Sequence, residues 1–348
     1  MITKDNKGRV RIDTSRRAAL KIAGTAAFAG SLLASGGAKP ARAREQTVEV
    51  YDDFSKPNGE YSIDDYLDRW ISSDLIGFPF EQEALDTRER GFPGELQIEA
   101  TPFRAKQDDT LDHVKYLAQS TRAFPIPEHG SITFSADIEA RTPGVDPERL
   151  ICPSPGEDFP CKTVLEPQQA AATLNVLNIH ETGQLFDWFV GERSAFCLTE
   201  RLLDPLAPGV DLDLGYTQIV ETVDISPGPH NYAIRYSRNP EGSDAVDWFL
   251  DGERVASHRK VGVPLDVQNP GRYKDITWRS IDATGELLRD EMTSFFPAHG
   301  LFTLLDEYPF SPQYEEYFVS YPDDERIFGQ GVNATFDNFV VRTEVLPE

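Results

Sequence analysis

Four side chains that could exchange protons or hold charge lie close together in the middle of the sequence. They are an imidazole, two carboxyls and a guanidinium, namely His180, Asp187, Glu200 and Arg201. Histidine and carboxylates are the usual general acids and bases of enzymes, and arginine stabilises negative charge that develops during a reaction. The residue types therefore predict a candidate acid–base site, provided that the local structure brings the four side chains together.

Three short apolar segments carry these residues and are predicted to be β-strands. They span 173–180, 184–190 and 194–202, with tight turns at 181–183 and 191–192. Strands joined by such short turns form an antiparallel meander. Residues from all three strands can therefore meet on one face of a sheet.

Side chains alternate along a strand, and this rule sorts the candidates onto faces. Asp187 shares a face with Leu185 and Phe189. Of Glu200 and Arg201, one must lie on that face and the other on the opposite face. A purely structural alternative stays open, in which Glu200 and Arg201 form a cross-strand ion pair and Asp187 only orients Arg201.

The rest of the chain is also rich in strand patterns. In the stretch 230–258, Tyr232, Ile234 and Tyr236 alternate with other residues, and Asp251-Gly252 suits a tight turn. Similar segments, twelve to fourteen in all, predict an all-β fold of two packed antiparallel sheets. One short helix is expected at 167–172, and 62–88 is expected to be a long loop over one edge.

The stretch 230–258 carries a resemblance as well as a pattern. Its residues H-x-Y-x-I-x-Y and W-F-x-D-G-x-x-V resemble a strand pair of concanavalin A-like jelly rolls, which include laminarinase-type glycoside hydrolases. The resemblance implies a jelly-roll sandwich whose first and last strands are neighbours. Asp53-Phe54 near the start and F-D-N-F at 336–339 are similar to that closure.

The same resemblance identifies 184–190 with the catalytic strand of those hydrolases. Their strand bears Glu-x-Asp-x-x-Glu, and Asp187 falls on the central Asp of this motif, on the concave face of the sheet. Leu185 and either Phe189 or Val190 replace the outer carboxylates. A retaining hydrolase needs two carboxyl groups about 5–5.5 Å apart. The usual paired-carboxylate mechanism is therefore not expected.

Aromatic residues are candidates for ligand contact, because a sugar ring presents C–H groups to an aromatic face. We predict Tyr216, Tyr232 and Trp278 as ligand-binding residues, and Trp188 and Trp248 as core residues. His180, Tyr232 and Arg201 also match in type the set used by polysaccharide lyases on a related jelly roll. His113 with Lys115 is a second candidate pair, with a structural role for His113 as the alternative.

The resemblance also implies a structural calcium ion near the terminal strands. Asp53 and Asp337 would supply the oxygen ligands that calcium prefers, or else they cap turns. The sequence contains no GxGxxG, P-loop, paired CxxC or HExxH motif. We therefore expect no required cofactor.

The N-terminal segment predicts export. Residues 15–21, S-R-R-A-A-L-K, resemble a twin-arginine signal and precede an apolar run at 22–34 and an Ala-Arg-Ala site at 41–43. The run is too short to span a membrane. We predict a signal peptide over 1–43 and one domain over 44–348, located in the periplasm or outside the cell.

Cysteine usage and charge agree with that compartment. Cys152 and Cys161 bracket a Pro- and Gly-containing loop and are predicted to form a disulfide, whereas Cys197 is predicted to be a buried thiol. The formal net charge is −24, and removal of the signal would make it more negative. Such a charge disfavours nucleic acid and anionic membranes as partners.

Three functions remain open from the sequence. The first is binding of, or action on, a carbohydrate or similar polyhydroxylated ligand in a concave groove, by a lyase- or hydrolase-type acid–base mechanism if the protein is an enzyme. The second is a small-molecule lyase, isomerase or cyclase with a closed apolar groove, and the third is a non-catalytic binding or surface protein. Segments 300–306 and 326–332 resemble those of exported bacterial proteins of unassigned function.

Overall fold

The computed structural model describes thirteen stretches of the chain. They are residues 2–4, 10–12, 45–56, 60–72, 88–92, 94–103, 114–152, 161–201, 216–238, 244–261, 286–287, 292–305 and 326–346. Within them the chain is built almost entirely of strands, as the sequence predicted.

The strands in the first half of the chain are β1 (Ile2–Lys4), β2 (Val10–Ile12), β3 (Glu45–Asp52), β4 (Trp70–Ser72), β5 (Arg88–Phe92), β6 (Glu95–Ala100), β7 (Val114–Ser120), β8 (Phe124–Pro125), β9 (Gly130–Arg141), β10 (Leu150–Ile151) and β11 (Lys162–Thr163). Those in the second half are β12 (Ala171–Asn178), β13 (Gln184–Val190), β14 (Ser194–Arg201), β15 (Tyr216–Asp224), β16 (His230–Arg238), β17 (Ala245–Leu250), β18 (Glu253–His258), β19 (Lys260–Val261), β20 (Glu286–Leu287), β21 (Ser294–Phe302) and β22 (Val332–Val345). The helices are α1 (Ile63–Leu67), α2 (Glu166–Gln169) and α3 (Ile179–Thr182).

Two sheets form a sandwich. The large sheet has the order β1-β2-β15-β14-β13-β12-β21-β7-β4, with β8 paired to β21. The small sheet has the order β18-β17-β16-β9-β22-β6-β5, with β3 paired to β22. The β2–β15 contact is parallel and the other pairings are antiparallel, so the architecture is the predicted two-sheet antiparallel jelly roll.

The core between the sheets follows from alternation of side chains. In β9, Ile132, Phe134, Ala136 and Ile138 are buried, while the residues between them are partly exposed. On the large sheet, β13 turns Phe186, Trp188 and Val190 toward the same core. One apolar layer therefore lies between the sheets, and Leu185, Asp187 and Phe189 of β13 point to the outer face of the large sheet.

Two tryptophans connect the sheets by hydrogen bonds. Trp188 on the large sheet donates from Nε1 to the carbonyl oxygen of Ala233 on the small sheet, at 3.1 Å. Trp248 on the small sheet donates from Nε1 to the carbonyl oxygen of Asp187, at 3.0 Å. Both indoles are fully buried, which confirms their predicted place in the core. The two bonds hold the backbone of β13 against the small sheet.

The closure of the fold also agrees with the sequence. The early strand β3 pairs with β22, near the end of the chain, over Glu45–Asp52. Cys152 and Cys161 form the predicted disulfide, and Cys197 is the predicted buried thiol. No helix in the described stretches has the length and apolar character needed to cross a membrane.

The structure corrects the first part, 62–72, of the long loop predicted over 62–88, and residues 73–87 lie outside the described stretches. This region contains α1 and β4, and Trp70 is fully buried rather than set on a surface loop. The Trp70 indole and the Tyr61 hydroxyl both donate to Oδ2 of Asp52, at 2.8 and 2.6 Å. Ser62 and Asp65 form a capping box that starts α1. These local hydrogen bonds explain the order of residues 60–72.

The first two strands lie inside the segment predicted to be a signal peptide. β1 and β2 form a short antiparallel pair, and β2 lies beside β15 at Val223 and Asp224. If the signal is removed, β15 becomes the edge of the large sheet among the described strands.

Candidate functional site

Asp187 lies in the middle of the large sheet with its side chain on the outer face. Its neighbours along β13, Leu185 and Phe189, belong to an apolar cluster separate from the core between the sheets. All three are buried, and Asp187 is only 1 % exposed. The Trp248 bond to its carbonyl oxygen fixes the backbone from the opposite side. The fold therefore holds a buried carboxyl at a fixed position.

A short chain of hydrogen bonds orients this carboxyl. Asn175 stands directly opposite Asp187 on β12 and donates from Nδ2 to its Oδ1 at 2.9 Å. The Oδ1 of Asn175 accepts in turn from the hydroxyl of Thr173 at 2.8 Å. Because Asn175 is held at both ends of its amide, it presents an N–H and not a carbonyl to Asp187.

A second carboxyl comes from the next strand. Glu200 on β14 stands opposite Leu185, so it shares the outer face with Asp187 one diagonal step away. It is 6 % exposed. The register therefore decides the question that alternation left open, because it assigns Glu200 and not Arg201 to the outer face.

Burial and this second carboxyl change the acidity of the first. Desolvation raises the pKa of Asp187 well above its usual range, and the charge of Glu200 raises it further. The hydrogen bond from Asn175 acts in the opposite direction but is the smallest of the three effects on this pKa. Asp187 is thus a carboxylic acid that holds its proton at pH values where an ordinary aspartate has ionised.

The walls around the two carboxyls are apolar. Side chains from five neighbouring strands of the outer face are buried there, including Leu177, Leu185, Phe189, Phe196, Leu198, Ile219, Ala298 and Phe302. An open sugar-binding groove would leave such side chains accessible. The face around the two carboxyls is therefore covered and is not an open groove.

The other two members of the predicted acid–base set are placed only by their backbones. His180 lies in α3, after β12 has ended at Asn178, and not on the strand predicted over 173–180. Arg201 is the last residue of β14 and stands opposite Gln184. The side chains of both, and that of Tyr216, lie outside what the structure describes, as do His113 and Trp278. Their proposed roles remain predictions.

Tyr232 lies on a different face from Asp187. It belongs to β16 of the small sheet, is fully buried in the core between the sheets, and packs edge-on against Trp188 at 5.3 Å. The Asp187 carboxyl is on the far side of the large sheet.

Lys115, from the second candidate pair, is also buried, with Nζ 5.9 Å from the centre of the Phe103 ring.

The predicted calcium ligands lie in an acidic region of the small sheet. The pKa of Asp337 is raised to about 6 by burial and by the charges of Asp137, Asp53 and Glu95. Asn338 donates to Asp337 and to Asp137, at 2.8 and 2.9 Å. Among the residues that the structure describes, no three His, Cys, Asp or Glu side chains converge as a metal site requires. Calcium binding by Asp53 and Asp337 therefore stays a prediction.

The profile of one protein family covers most of this chain. The Family of unknown function (DUF6081) matches residues 51–345. The chain belongs to this family. No curated protein matches the sequence.

The solved structures to which this DUF6081 protein is similar have low sequence identity to it. An endo-1,3-β-glucanase from Streptomyces sioyaensis is 13 % identical with a TM-score of 0.39, covering 90 % of this chain and 100 % of that one. β-Agarase B from Zobellia galactanivorans is 11 % identical with a TM-score of 0.45, covering 87 % and 95 %. An alginate lyase from Pseudomonas aeruginosa is 13 % identical with a TM-score of 0.35, covering 79 % and 98 %.

The DUF6081 chain also contains a Ser-His-Asp arrangement that was not predicted from the sequence. His230 contacts Oδ2 of Asp251 through Nδ1 at 2.8 Å and the Ser226 hydroxyl through Nε2 at 3.1 Å. However, Nε2 lies closer, at 2.8 Å, to the carbonyl oxygen of Ser226, which can only accept. Both ring nitrogens therefore donate, and the pKa of His230 is raised, mainly by Asp251. A protonated Nε2 cannot take a proton from serine, so this is not a nucleophilic triad.

A second polar cluster lies in the core of the DUF6081 fold. Nε2 of His299 forms a hydrogen bond with the Tyr66 hydroxyl at 3.1 Å, and the Tyr66 hydroxyl also forms a hydrogen bond with the hydroxyl of Tyr116. Burial lowers the pKa of His299 to about 3, so the ring is neutral. The aromatic rings of Trp70 and Phe336 pack against it at 4.7 and 4.9 Å. This histidine is a packed core residue.

Proposed function

We propose that the protein is an acid–base catalyst that acts on a small polyhydroxylated molecule, of carbohydrate type, enclosed over the outer face of the large sheet. The observation that carries the proposal is the pair of buried carboxyls, Asp187 and Glu200, on one apolar-walled face. Carboxyls are rarely buried as neighbours without a chemical reason, because each disfavours ionisation of the other. Such pairs recur where one group must give a proton and the other must take one.

The hydrogen bonding suggests which role each carboxyl has. Oδ1 of Asp187 accepts the N–H of Asn175, so the acidic proton belongs on Oδ2. Asp187 would donate this proton to a departing oxygen of the substrate as general acid. Glu200 would take a proton from the attacking water in a hydrolysis, or from a carbon in an elimination. Either reaction leaves the pair with the same total number of protons.

The enclosure favours a small substrate over a long polysaccharide. The apolar side chains around the two carboxyls are nearly inaccessible, with Leu198 and Ala298 fully buried. Exclusion of water strengthens each electrostatic interaction inside such a site. The reaction would therefore take place in a closed groove. The apolar side chains around the two carboxyls would exclude water from it, which the walls of an open groove could not do.

The test is turnover by the purified protein on aryl glycosides and on short uronate oligomers. Release of the phenolate would report hydrolysis, and the unsaturated product would report elimination. Asp187→Asn keeps the acceptor for Asn175 but removes the acid, so we expect a loss of about 10²–10⁴-fold in kcat. Glu200→Gln should give a loss of similar size, with a pH profile that lacks one limb.

Asp247→Asn is the matched control, because Asp247 is a buried carboxyl on the outer face of the small sheet. We expect it to retain turnover in the fraction that remains folded by circular dichroism. Full turnover by folded Asp187→Asn, or inactivity of the unmodified protein on the whole panel, would contradict the proposal.

We also propose that the protein is exported in folded form by the twin-arginine route. The support is the order of the arginine pair, the apolar run and the Ala-Arg-Ala site in residues 1–43. Replacing both Arg16 and Arg17 by Lys should keep the protein in the cytoplasm and leave its N-terminal segment uncleaved. The pair Arg9→Lys and Arg11→Lys keeps the same charge count and should be exported normally. Export of the first variant at the normal level would refute the route.

A further inference from the structure

The outer face of β12 is polar only at its centre. Alternation places Ala171, Thr173, Asn175 and Leu177 on this face, and the two end residues belong to the apolar cluster around the carboxyls. Thr173 and Asn175 are buried, at 0 and 3 % exposure. Burial of a polar side chain is unfavourable unless the group is hydrogen-bonded. The role of these two residues therefore follows from their hydrogen bonds.

The Thr173 hydroxyl acts on Asn175. In the register, Thr173 stands between Phe189 on β13 and Gly300 on β21, and neither of these has a side-chain hydrogen-bonding group. The hydroxyl donates to Oδ1 of Asn175 at 2.8 Å, and this is its one side-chain hydrogen bond among the described residues. The polar contribution of Thr173 to this part of the sheet therefore passes through the Asn175 amide.

The Asn175 amide carries the effect to Asp187. Its Nδ2 donates to Oδ1 of Asp187 at 2.9 Å. A donor on the amide oxygen polarises the amide, so the N–H becomes a stronger donor to the carboxyl. The same donor favours the orientation in which the amide oxygen points away from Asp187. An amide oxygen facing Asp187 would instead accept its proton and favour the protonated form. The Thr173 hydroxyl therefore supports the ionised form of Asp187 in two ways.

This support opposes the other influences on Asp187. Glu200 on β14 is the titratable group that acts on Asp187. The residues directly in line with Asp187 on β12, β14 and β21 are uncharged, namely Asn175, Leu198 and Ala298. Burial and Glu200 raise the pKa of Asp187, and the bond from Asn175 lowers it. A general acid has to release its proton as well as hold it, and the Asn175 N–H favours release.

We propose that Thr173 is a positioning residue, which acts through the Asn175 amide to keep the acid Asp187 able to release its proton. The inference deepens the proposed function and rests on it, since it takes Asp187 as the general acid. Thr173 acts without contact to the substrate, which agrees with its complete burial. The hydroxyl and not the methyl group is what matters, so serine should replace this threonine and valine should not.

The test is a pH titration of the Asp187 carboxyl by infrared difference spectroscopy. Each protein is compared with the same protein that also carries Asp187→Asn, and the carbonyl stretch of the protonated acid is followed. In Thr173→Val we expect the midpoint of the titration to rise by about one pH unit, which is an about 10-fold change in proton affinity. Asn175→Leu removes the donor itself and should raise the midpoint at least as much. Both substitutions nearly preserve side-chain volume.

Two controls separate the hydrogen bonds from packing. Thr173→Ser keeps the hydroxyl and should leave the midpoint unchanged. Thr199→Val makes the threonine-to-valine change at a fully buried position of β14, opposite Phe186 on the core face. The Thr199 hydroxyl has no hydrogen-bond partner among the described residues. This variant should therefore also leave the midpoint of Asp187 unchanged.

Turnover gives a second readout that a purely structural threonine would not change. A general acid is active in its protonated form. In Thr173→Val, the alkaline limb of the pH profile of kcat should therefore move to higher pH by the same amount as the titration midpoint. In Thr173→Ser and Thr199→Val that limb should stay in place.

The results distinguish this inference from the proposed function. An unchanged midpoint in folded Thr173→Val would overturn the inference, as would an equal rise in Thr173→Ser or Thr199→Val. If Thr173→Val does not fold by circular dichroism, an unchanged midpoint in Asn175→Leu overturns it in the same way. A raised midpoint in Thr173→Val, together with no turnover by the unmodified protein, would contradict the proposed function and leave the hydrogen-bond chain supported.

Discussion

The outer faces of the two sheets differ in the charged groups that lie next to a buried aspartate. On the small sheet, Asp247 is 3 % exposed and meets Arg235 at 2.6 Å and Arg254 at 3.5 Å, so its charge is matched by opposite charge. On the large sheet, the charged group that acts on Asp187 is another carboxyl, Glu200. The first arrangement is what a stable sheet surface needs. The second is unfavourable for stability and favourable for proton transfer, which is why we assign function to the large sheet.

Substitutions in the core between the two sheets should lower the free energy of unfolding more than substitutions on either outer face. Trp188→Ala removes a fully buried indole and its bond to the Ala233 carbonyl oxygen. We expect the free energy of unfolding to fall by about 3–5 kcal/mol, measured by urea denaturation. Phe249→Ala, which removes a half-buried ring on the outer face of the small sheet, should cost clearly less. Equal losses would mean that the core does not hold the two faces together.

Removal of the matched charge on the small sheet should destabilise the protein. Asp247→Ala leaves Arg235 without its carboxylate, and we expect a loss of about 1–3 kcal/mol in the free energy of unfolding. Arg254→Ala should cost under about 0.5 kcal/mol, because its side chain is 59 % exposed. If Asp247→Ala is neutral, the ion pairs on this face contribute no more than an exposed pair does.

Removal of the Asp187 carboxyl on the large sheet should instead raise the free energy of unfolding. The pKa of Asp187 is raised in the folded state, so the protein loses stability as the pH rises above the ordinary aspartate value of about 3.9, where only the unfolded chain ionises. Asp187→Asn has no carboxyl at this position and does not lose stability in this way. We expect its free energy of unfolding to equal that of the unmodified protein near a pH of about 3.9. At neutral pH it should be higher by on the order of 1 kcal/mol. Chemical denaturation over a pH series would show it, and a variant less stable at neutral pH would contradict the contrast between the faces.

The smallest expected effect concerns the end of the small sheet. The pKa of His230 is raised by Asp251, so its stabilising contribution is complete below the ordinary histidine value of about 6.5 and is lost as the pH rises through the folded value. His230→Gln should cost under about 1 kcal/mol at mildly acidic pH, and less as the pH rises, since Asp251 is 35 % exposed. A cost that grows with pH would show that the neutral ring is the bound form.

The sequence predicted the fold better than the site, for identifiable reasons. Alternation in β9 and β13 and the turn at Asp251-Gly252 are local signals, and they gave the strands, the sandwich and the place of Trp188 and Trp248. The order at 62–72 was missed because it depends on the side chain of Asp52, which accepts hydrogen bonds from Tyr61 and Trp70. Similarly, alternation could not choose between Glu200 and Arg201 until the register with β13 was known.

The full order of the strands in the large sheet could not be predicted from the sequence. β21 lies between β12 and β7 in this sheet, although these three strands are far apart in the chain. In contrast, the disulfide between Cys152 and Cys161 was predictable, because its two partners are close in sequence and few cysteines compete.

The central claim is that the outer face of the large sheet holds Asp187 as a protonated acid, and one measurement tests it most directly. Infrared difference spectra between the unmodified protein and Asp187→Asn would report the carbonyl stretch of a single protonated carboxylic acid. About two pH units above the ordinary aspartate value of ~3.9, we expect that band to be present in the unmodified protein and absent from the variant. A carboxylate band in its place at that pH would show that Asp187 is ionised and would contradict the account.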